Sequence, residues 1–562
     1  MFKKFSIILS IILMINNCSN KQDNSFTIDY EKYQLDNGLN VVLHEDHSDP
    51  LVAIATIVHV GSNREKPGRT GFAHFFEHMS FNDSENVPRG ANRTMISELG
   101  GTRNGGTWSD GTMYYEVVPK DALEKLMWID SDRLGYMINT VTEDALEREK
   151  QVVKNEKRER VDNQAYGHTD AIIRKALYPK DHPYNWTVIG ELEDLQAATI
   201  EDVKEFYNKF YGPSNATLVV AGDINIEETK ELVNKWFGDI KRSNEVEEPK
   251  VQLVTVNETN KLYYLDKFAR LPEIRITFPT VQEFHEDSYA LNTLGRLLAD
   301  GKNSPLYKEI VEQRRLAPST SASQNSYEIA GKFTIRVRGN SSVSLDTLYT
   351  AIMKGLENFD SNGVNEADLK RIKAKQETGF YNNISSALDK AFQLGIYNEF
   401  AGDPGFISKD VENIKNVTKE DVLRVFNKYI KGNNAIITSV VPETQPELIL
   451  TGSKEAYIKE EEIVQDAEKE FDANTNIEYE KTASIHDRSE PPLGDLPLLK
   501  VPDVWQGKLS NGINIYGIEH NELPLVQFSL RIDGGQALDP IDKIGTSVML
   551  ASILNEGTEN KT

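Results

Sequence analysis

At 562 residues the chain is longer than one hydrophobic core can organise, and three or four domain-sized units are expected. Its formal charge of −24 excludes a nucleic-acid binder, which needs clustered Lys and Arg to follow phosphates. The sole cysteine, Cys18, excludes an intramolecular disulfide and a Cys-rich zinc ribbon, so a metal site must be built from His and carboxylate.

In chain order, residues 1–18 (MFKKFSIILSIILMINNC) put two lysines ahead of an apolar run too short to span a bilayer comfortably, the layout of a secretory signal. With the cysteine closing that run, the segment resembles a bacterial lipoprotein signal. Cys18 would then carry the lipid and hold the mature chain to a membrane without spanning it. Asn17 departs from the small residue usual before such a cysteine. Residues 19–29 read as a tether.

From Tyr33, YQLDNGLNVVLHEDH predicts strand, Asn-Gly turn and strand, and LVAIATIVHVGS a central strand. His44, His47 and His59 on these segments read as structural or solvated. The run GFAHFFEHMSF, residues 71–81, follows. At 100° per residue, His74, Glu77, His78 and Phe81 share one side of a helix and Phe72, Phe75, Phe76 and Met79 the other. Two imidazoles at i and i+4 can reach one divalent ion, and the carboxylate between them can reach water bound to it, as a zinc hydrolase requires. H-x-x-E-H is the reverse of the commoner H-E-x-x-H. Next, Gly100 to Thr107 is a glycine-rich stretch leading into a β-prone run. Such an edge could accept an extended peptide, or be a plain flexible turn. TEDALEREKQVVKNEKRERVD, residues 142–162, predicts a charged helix able to supply a third ligand. Spacing leaves Glu147, Glu149, Glu156 and Glu159 all open.

Taken together, H-x-x-E-H, the Asn-Gly hairpin before it, the Asn-Gly-Gly-Thr edge and the later E-x6-E helix resemble the pitrilysin, insulin-degrading enzyme and mitochondrial processing peptidase family. The resemblance implies Glu156 as the third zinc ligand and Glu149 as its supporting partner. It also implies that Asn104, with Gly105 and Gly106, belongs to a strand that holds substrate backbone. The family usually has Asn-Ala where this chain has Asn104-Gly105.

Repeats extend the reading. TIEDVKEFYNKFYGPSNAT from Thr199 aligns without gaps, at an offset of 219, with TKEDVLRVFNKYIKGNNAI from Thr418. Two tandem domains of an α+β fold, antiparallel-rich sheets packed with helices, are therefore expected. The first, 30–248, would be catalytic. The second, 252–445, lacks the motif and would wall the substrate cavity or act as scaffold. Residues 446–504, acidic and then proline-rich, read as a linker. Beyond it, the run from Leu509 repeats that from Leu35 at a constant offset of 474. Along this third copy, 505–562, most of the apolar helix face survives, while His74, Glu77 and His78 become Val548, Ala551 and Ser552. It reads as the truncated start of a third domain, without the Arg and Tyr that the family's second half brings to substrate.

The expected activity is zinc-dependent endopeptidase action, one Zn2+ per chain, on short or unfolded peptides in the bacterial cell envelope, periplasmic or at the outer membrane. Glu77 would be the general base. The rivals are a catalytically silent peptide-binding lipoprotein and an active subunit that borrows its closing half by homo- or heterodimerisation. Neither a phosphate-binding loop nor G-x-S-x-G is present.

Overall fold

The computed structural model describes residues 26–459, 480–498, 501–554 and 556–560. The expected signal with Cys18, most of the tether and the acidic part of the linker lie outside them. The chain divides into two units, one through Pro502 and one from Asp503.

The first unit holds two six-stranded sheets. In the first, β1 (Glu31–Gln34), β2 (Asn40–Glu45), β3 (Leu51–Val58), β4 (Thr102–Thr107), β5 (Thr112–Pro119) and β6 (Ala216–Gly222) lie in the order β1-β2-β6-β3-β5-β4. Only β2 and β6 pair in parallel. The Asn-Gly turn joins β1 to β2, with Gly38 at φ 94°, a conformation a β-carbon would strain. β3 is central and, apart from Leu51, buried along its whole length, as its unbroken apolar run requires.

Five strands of the second sheet repeat this plan, and the sixth, at the edge, comes instead from the end of the domain and pairs in parallel. β7 (Asn260–Asp266), β8 (Glu273–Thr280), β9 (Thr320–Ser326), β10 (Gly331–Arg338), β11 (Ile436–Pro442) and β12 (Lys454–Glu455) run in the order β12-β7-β11-β8-β10-β9. The repeat seen in sequence is the helix-then-strand closure of each domain. Thr199 and Thr418 both open their helices with a capping box, completed by Asp202 and Asp421.

The two domains are laced together. The helix Ala387–Phe400 of the second crosses β3 and β6 of the first, and the helix Thr169–Leu177 of the first packs on β11. Gly395 makes the first crossing possible, because a β-carbon there would stand 2.3 Å from Ile57 Cδ1. Lys390 pairs with Asp46 at 2.6 Å across the same contact.

Two boundaries differ from the sequence reading. The second sheet continues past residue 445 to Glu455. Part of the stretch read as linker is docked on the first domain. The Arg488 guanidinium is buried there, donating to Ser131 Oγ at 2.7 Å and the Trp236 carbonyl at 3.0 Å, while its own carbonyl accepts from Trp128 Nε1. A proline-rich, charged composition hid this because polar contacts anchor the segment where apolar residues would normally do so: Arg488 is joined by Thr482 on Glu85, Glu490 on Lys125 and the Gly494 N–H on the Asp121 carbonyl.

The second unit contains a hairpin, β13 (Val504–Lys508) with β14 (Asn514–Ile518), and the helix Thr546–Ile553. These fall on β1, β2 and the helix Phe72–Met79 at the offset of 474. The counterpart of β3, residues 525–532, forms no strand, and Val526 and Phe528 are exposed. In the first sheet β3 is held on both sides by β5 and β6; among the described residues of this unit no such neighbours exist.

Candidate metal centre

The helix Phe72–Met79 begins at Gly71, whose φ of 88° turns the chain sharply into it. A side chain at Gly71 would also collide with the Ile189 carbonyl, 2.7 Å from its β-carbon position. The buried Glu65 carboxylate accepts the backbone N–H groups of Gly71 at 2.9 Å and Ala73 at 2.8 Å, satisfying donors the helix start leaves open. Complete burial pushes its carboxyl up to about 8. Phe72, Phe75, Phe76 and Met79 enter the core beside Trp128 and Tyr207, which fixes the rotation of the helix and turns its other face outward.

On that outward face the His74 and His78 rings stand edge to face, 4.7 Å between centroids. The helix Glu143–Lys157 lies alongside and contributes Glu156. One carboxylate oxygen, Glu156 Oε2, is 3.0 Å from His78 Nε2 and 3.6 Å from His74 Nε2. Arg160 Nη1 binds the other, Oε1, at 2.7 Å. Glu149 Oε2 stands 4.0 Å from His78 Nδ1. Of the remaining glutamates on this stretch, Glu147 pairs with Lys150 at 2.9 Å, and Glu159 points to solvent from a π-helical turn.

One donor atom from each of His74, His78 and Glu156 lies within 4.8 Å of the others. Tetrahedral zinc with bonds of about 2.0 Å separates its ligands by about 3.3 Å, and the observed 3.0 and 3.6 Å bracket that spacing. Two imidazoles and a carboxylate suit zinc chemically and leave a fourth position open. The donor set fits the ion.

Electrostatics divide the four groups. Burial, aided by the adjacent His78, pushes His74 down to about 4. At His78 burial acts in the same direction, but the bond to Glu156 and the nearby carboxylates outweigh it and hold the imidazole above its ordinary value. The His78 bond holds Glu156 below the usual carboxylate range. Burial raises Glu77, against the pull of His78 and a hydrogen bond from Thr107.

The glycine-rich stretch beside the site is itself a strand. β4 is an edge of the sheet, paired only to β5 among the described residues, and Asn104 and Gly106 are exposed on it. Gly105 rests on Phe81, whose ring carbons would stand 2.8 Å from a β-carbon there. An alanine at this position would therefore displace the ring. His44 and His59 are buried away from this centre. His44 Nδ1 bonds the Asp29 carbonyl at 2.6 Å, and His59 is held between Glu328 at 2.8 Å and Glu399 at 3.1 Å. His47 is exposed between Glu45 and Asp223. The sequence reading did not find Glu65, Thr107 or Arg160. Glu65 had a visible signal, since Asp539 stands at the same repeat position.

Paired imidazoles, a carboxylate between them and a second carboxylate beside an open strand are the arrangement expected of a helix-borne, metallohydrolase-type centre in a repeated α/β fold. Comparison with known proteins agrees. Residues 40–182 match the insulinase (peptidase family M16) model and 197–376 the peptidase M16 inactive domain. The chain is 27% identical over 449 residues to the zinc protease PqqE of Helicobacter pylori, covering 77% of this chain and 98% of that one. The crystal structure of a protease from Helicobacter pylori superposes with a TM-score of 0.68 at 27% identity, covering 74% of this chain and all of that one. The periplasmic protease PqqL from Escherichia coli shares the fold at 19% identity and a TM-score of 0.64, covering 88% of this chain and 56% of that one. The chain belongs to the M16, or pitrilysin, family of zinc metallopeptidases.

Proposed function

We propose that this chain is a zinc-dependent endopeptidase acting on short or unfolded peptides in the bacterial cell envelope. The observation that carries the reading is the convergence of His74, His78 and Glu156 beside Glu77, next to the open edge of β4. His74, His78 and Glu156 would hold the zinc ion, which when bound supplies a Lewis acid for water and the peptide carbonyl. Glu77 accepts the proton of the attacking water on its carboxylate and returns it to the leaving amine as the C–N bond breaks. Glu149 orients His78 through the ring nitrogen turned away from Glu156. Asn104, Gly105 and Gly106 lie along the open edge of β4, to which an extended substrate adds as a further strand in place of the Asn104 Oδ1 that accepts the Gly105 N–H at 2.9 Å. Cys18 supplies the lipid anchor. A periplasmic setting is supported by the likeness to the periplasmic protease PqqL from Escherichia coli.

Cleavage of an internally quenched unstructured peptide by residues 19–562, with zinc and with chelator, tests this reading. Chelator-sensitive cleavage that Glu77→Gln loses while keeping its zinc is expected. A Glu77→Gln protein that cleaves at the parent rate ends the proposal. A second reading, an active subunit completed by another chain or a second copy, draws on one fact: the chain covers 56% of PqqL. Bound zinc without turnover, restored on adding a partner half, would favour it; no turnover under any condition would leave a peptide-binding lipoprotein.

A further inference from the structure

The general base needs its carboxylate aimed. A glutamate on a helix surface has three rotatable bonds, and a base that wanders forfeits much of its effect, since a misplacement of about 1 Å costs on the order of a hundredfold. Glu77 is held from outside its own helix. Thr107, the last residue of β4, donates its hydroxyl proton to Glu77 Oε2 at 3.1 Å. The threonine is fixed in turn. It pairs across the sheet with the fully buried Thr112, the first residue of β5, whose Oγ1 lies 3.3 Å away. The Thr112 proton goes to the Val60 carbonyl at 2.8 Å and the Thr107 proton to the charged carboxylate, the stronger partner, so the strand pairing of the two threonines, not a bond between their hydroxyls, fixes Thr107. One Glu77 oxygen is thereby occupied and the other left for water.

We propose that Thr107 is the positioning residue of the general base, tying Glu77 to the strand on which substrate lies. The inference rests on the endopeptidase reading above. Because β4 carries both this hydroxyl and the exposed Asn104-Gly105-Gly106 edge, one rigid strand end sets the distance between substrate backbone and base. Thr107 acts through Glu77 and lies outside the His74, His78 and Glu156 donor group.

The test replaces Thr107 by valine, of equal shape without the hydroxyl, and by serine, which keeps it. Expected for Thr107→Val is a kcat lower by about 10- to 100-fold, with KM within about twofold and zinc content unchanged. Thr107→Ser stays within about threefold of the parent. In a Glu77→Gln background Thr107→Val costs nothing further, since the group it aims is gone. A parent-like kcat in Thr107→Val, an effect confined to KM, or equal losses in the valine and serine variants overturns the proposal. If the parent itself shows no zinc-dependent cleavage, the endopeptidase reading fails separately. A crystal structure of zinc-loaded Thr107→Val still decides this proposal: a displaced Glu77 carboxylate supports it, and one that stays in place refutes it.

Discussion

Glu65 and Asp539 stand at the same position of the repeat and do the same work. Each carboxylate accepts two backbone N–H groups at the start of an eight-residue helix, Gly71 and Ala73 in one case, Gly545 and Ser547 in the other. Both helices follow a left-handed glycine, at φ 88° and 99°. Past this shared beginning they part. The first carries His74, Glu77 and His78 and buries its apolar face; the second has Val548, Ala551 and Ser552, and its Met549 and Leu550 are exposed. The device that starts the helix is thus independent of the chemistry on it. A cap and a turn persist where His74, Glu77 and His78 do not, because the cap satisfies backbone groups that every helix start leaves open.

The most severe way to break the comparison is to write the third repeat into the first. The triple substitution H74V/E77A/H78S should abolish zinc binding and peptide cleavage while the far-UV circular dichroism of the zinc-free protein stays at the parent's. Loss of that signal would mean that the metal-facing residues also hold the helix. A smaller effect separates the caps. Glu65→Ala strands two buried N–H groups and should cost about 2 kcal/mol in urea unfolding. Asp539→Ala should leave that transition unmoved and speed amide exchange at 545–547 only.

A pH-dependent effect concerns His59, where the third repeat has Asp533. Burial alone would lower this imidazole, but Glu328 and Glu399 of the second domain outweigh it and push it up to about 10. Its unfolded value is near 6.5, so the folded state holds the proton more tightly. The resulting stability is complete below pH 6.5 and is lost as pH rises from there through about 10. The urea midpoint of the parent should therefore fall across that range, and His59→Gln should flatten the fall. An unchanged slope in the variant would show that this histidine does not tie the first sheet to the second domain.

How far the site could be read without coordinates varies with the range of the interaction. The spacing of His74, Glu77 and His78 lies within one helical turn, so geometry places all three on one face from sequence alone. The Asn-Gly turn and the capping boxes at Thr199 and Thr418 are equally local. The third donor is not. Glu147, Glu149, Glu156 and Glu159 are all compatible with a charged helix. What distinguishes them is where the helix Glu143–Lys157 crosses the helix Phe72–Met79, which brings Glu156 Oε2 to 3.0 Å from His78. Resemblance to a known family anticipated that residue, but composition and periodicity could not.

The same division runs through the whole molecule. By itself the sequence determined the repeated elements, the polar and apolar faces of the helix Phe72–Met79 and the replacement of His74, Glu77 and His78 in the third copy. These depend on neighbours a few residues apart or on direct comparison of segments. Only the tertiary structure decided that the glycine-rich stretch is an exposed edge strand and that Arg488 docks part of the proline-rich segment on the first domain. It also decided that a helix from each domain covers the other's sheet and that Thr107 reaches Glu77. Each of those depends on residues tens to hundreds of positions apart meeting in a packed interior, where shape and hydrogen-bond satisfaction, not local pattern, select the partner.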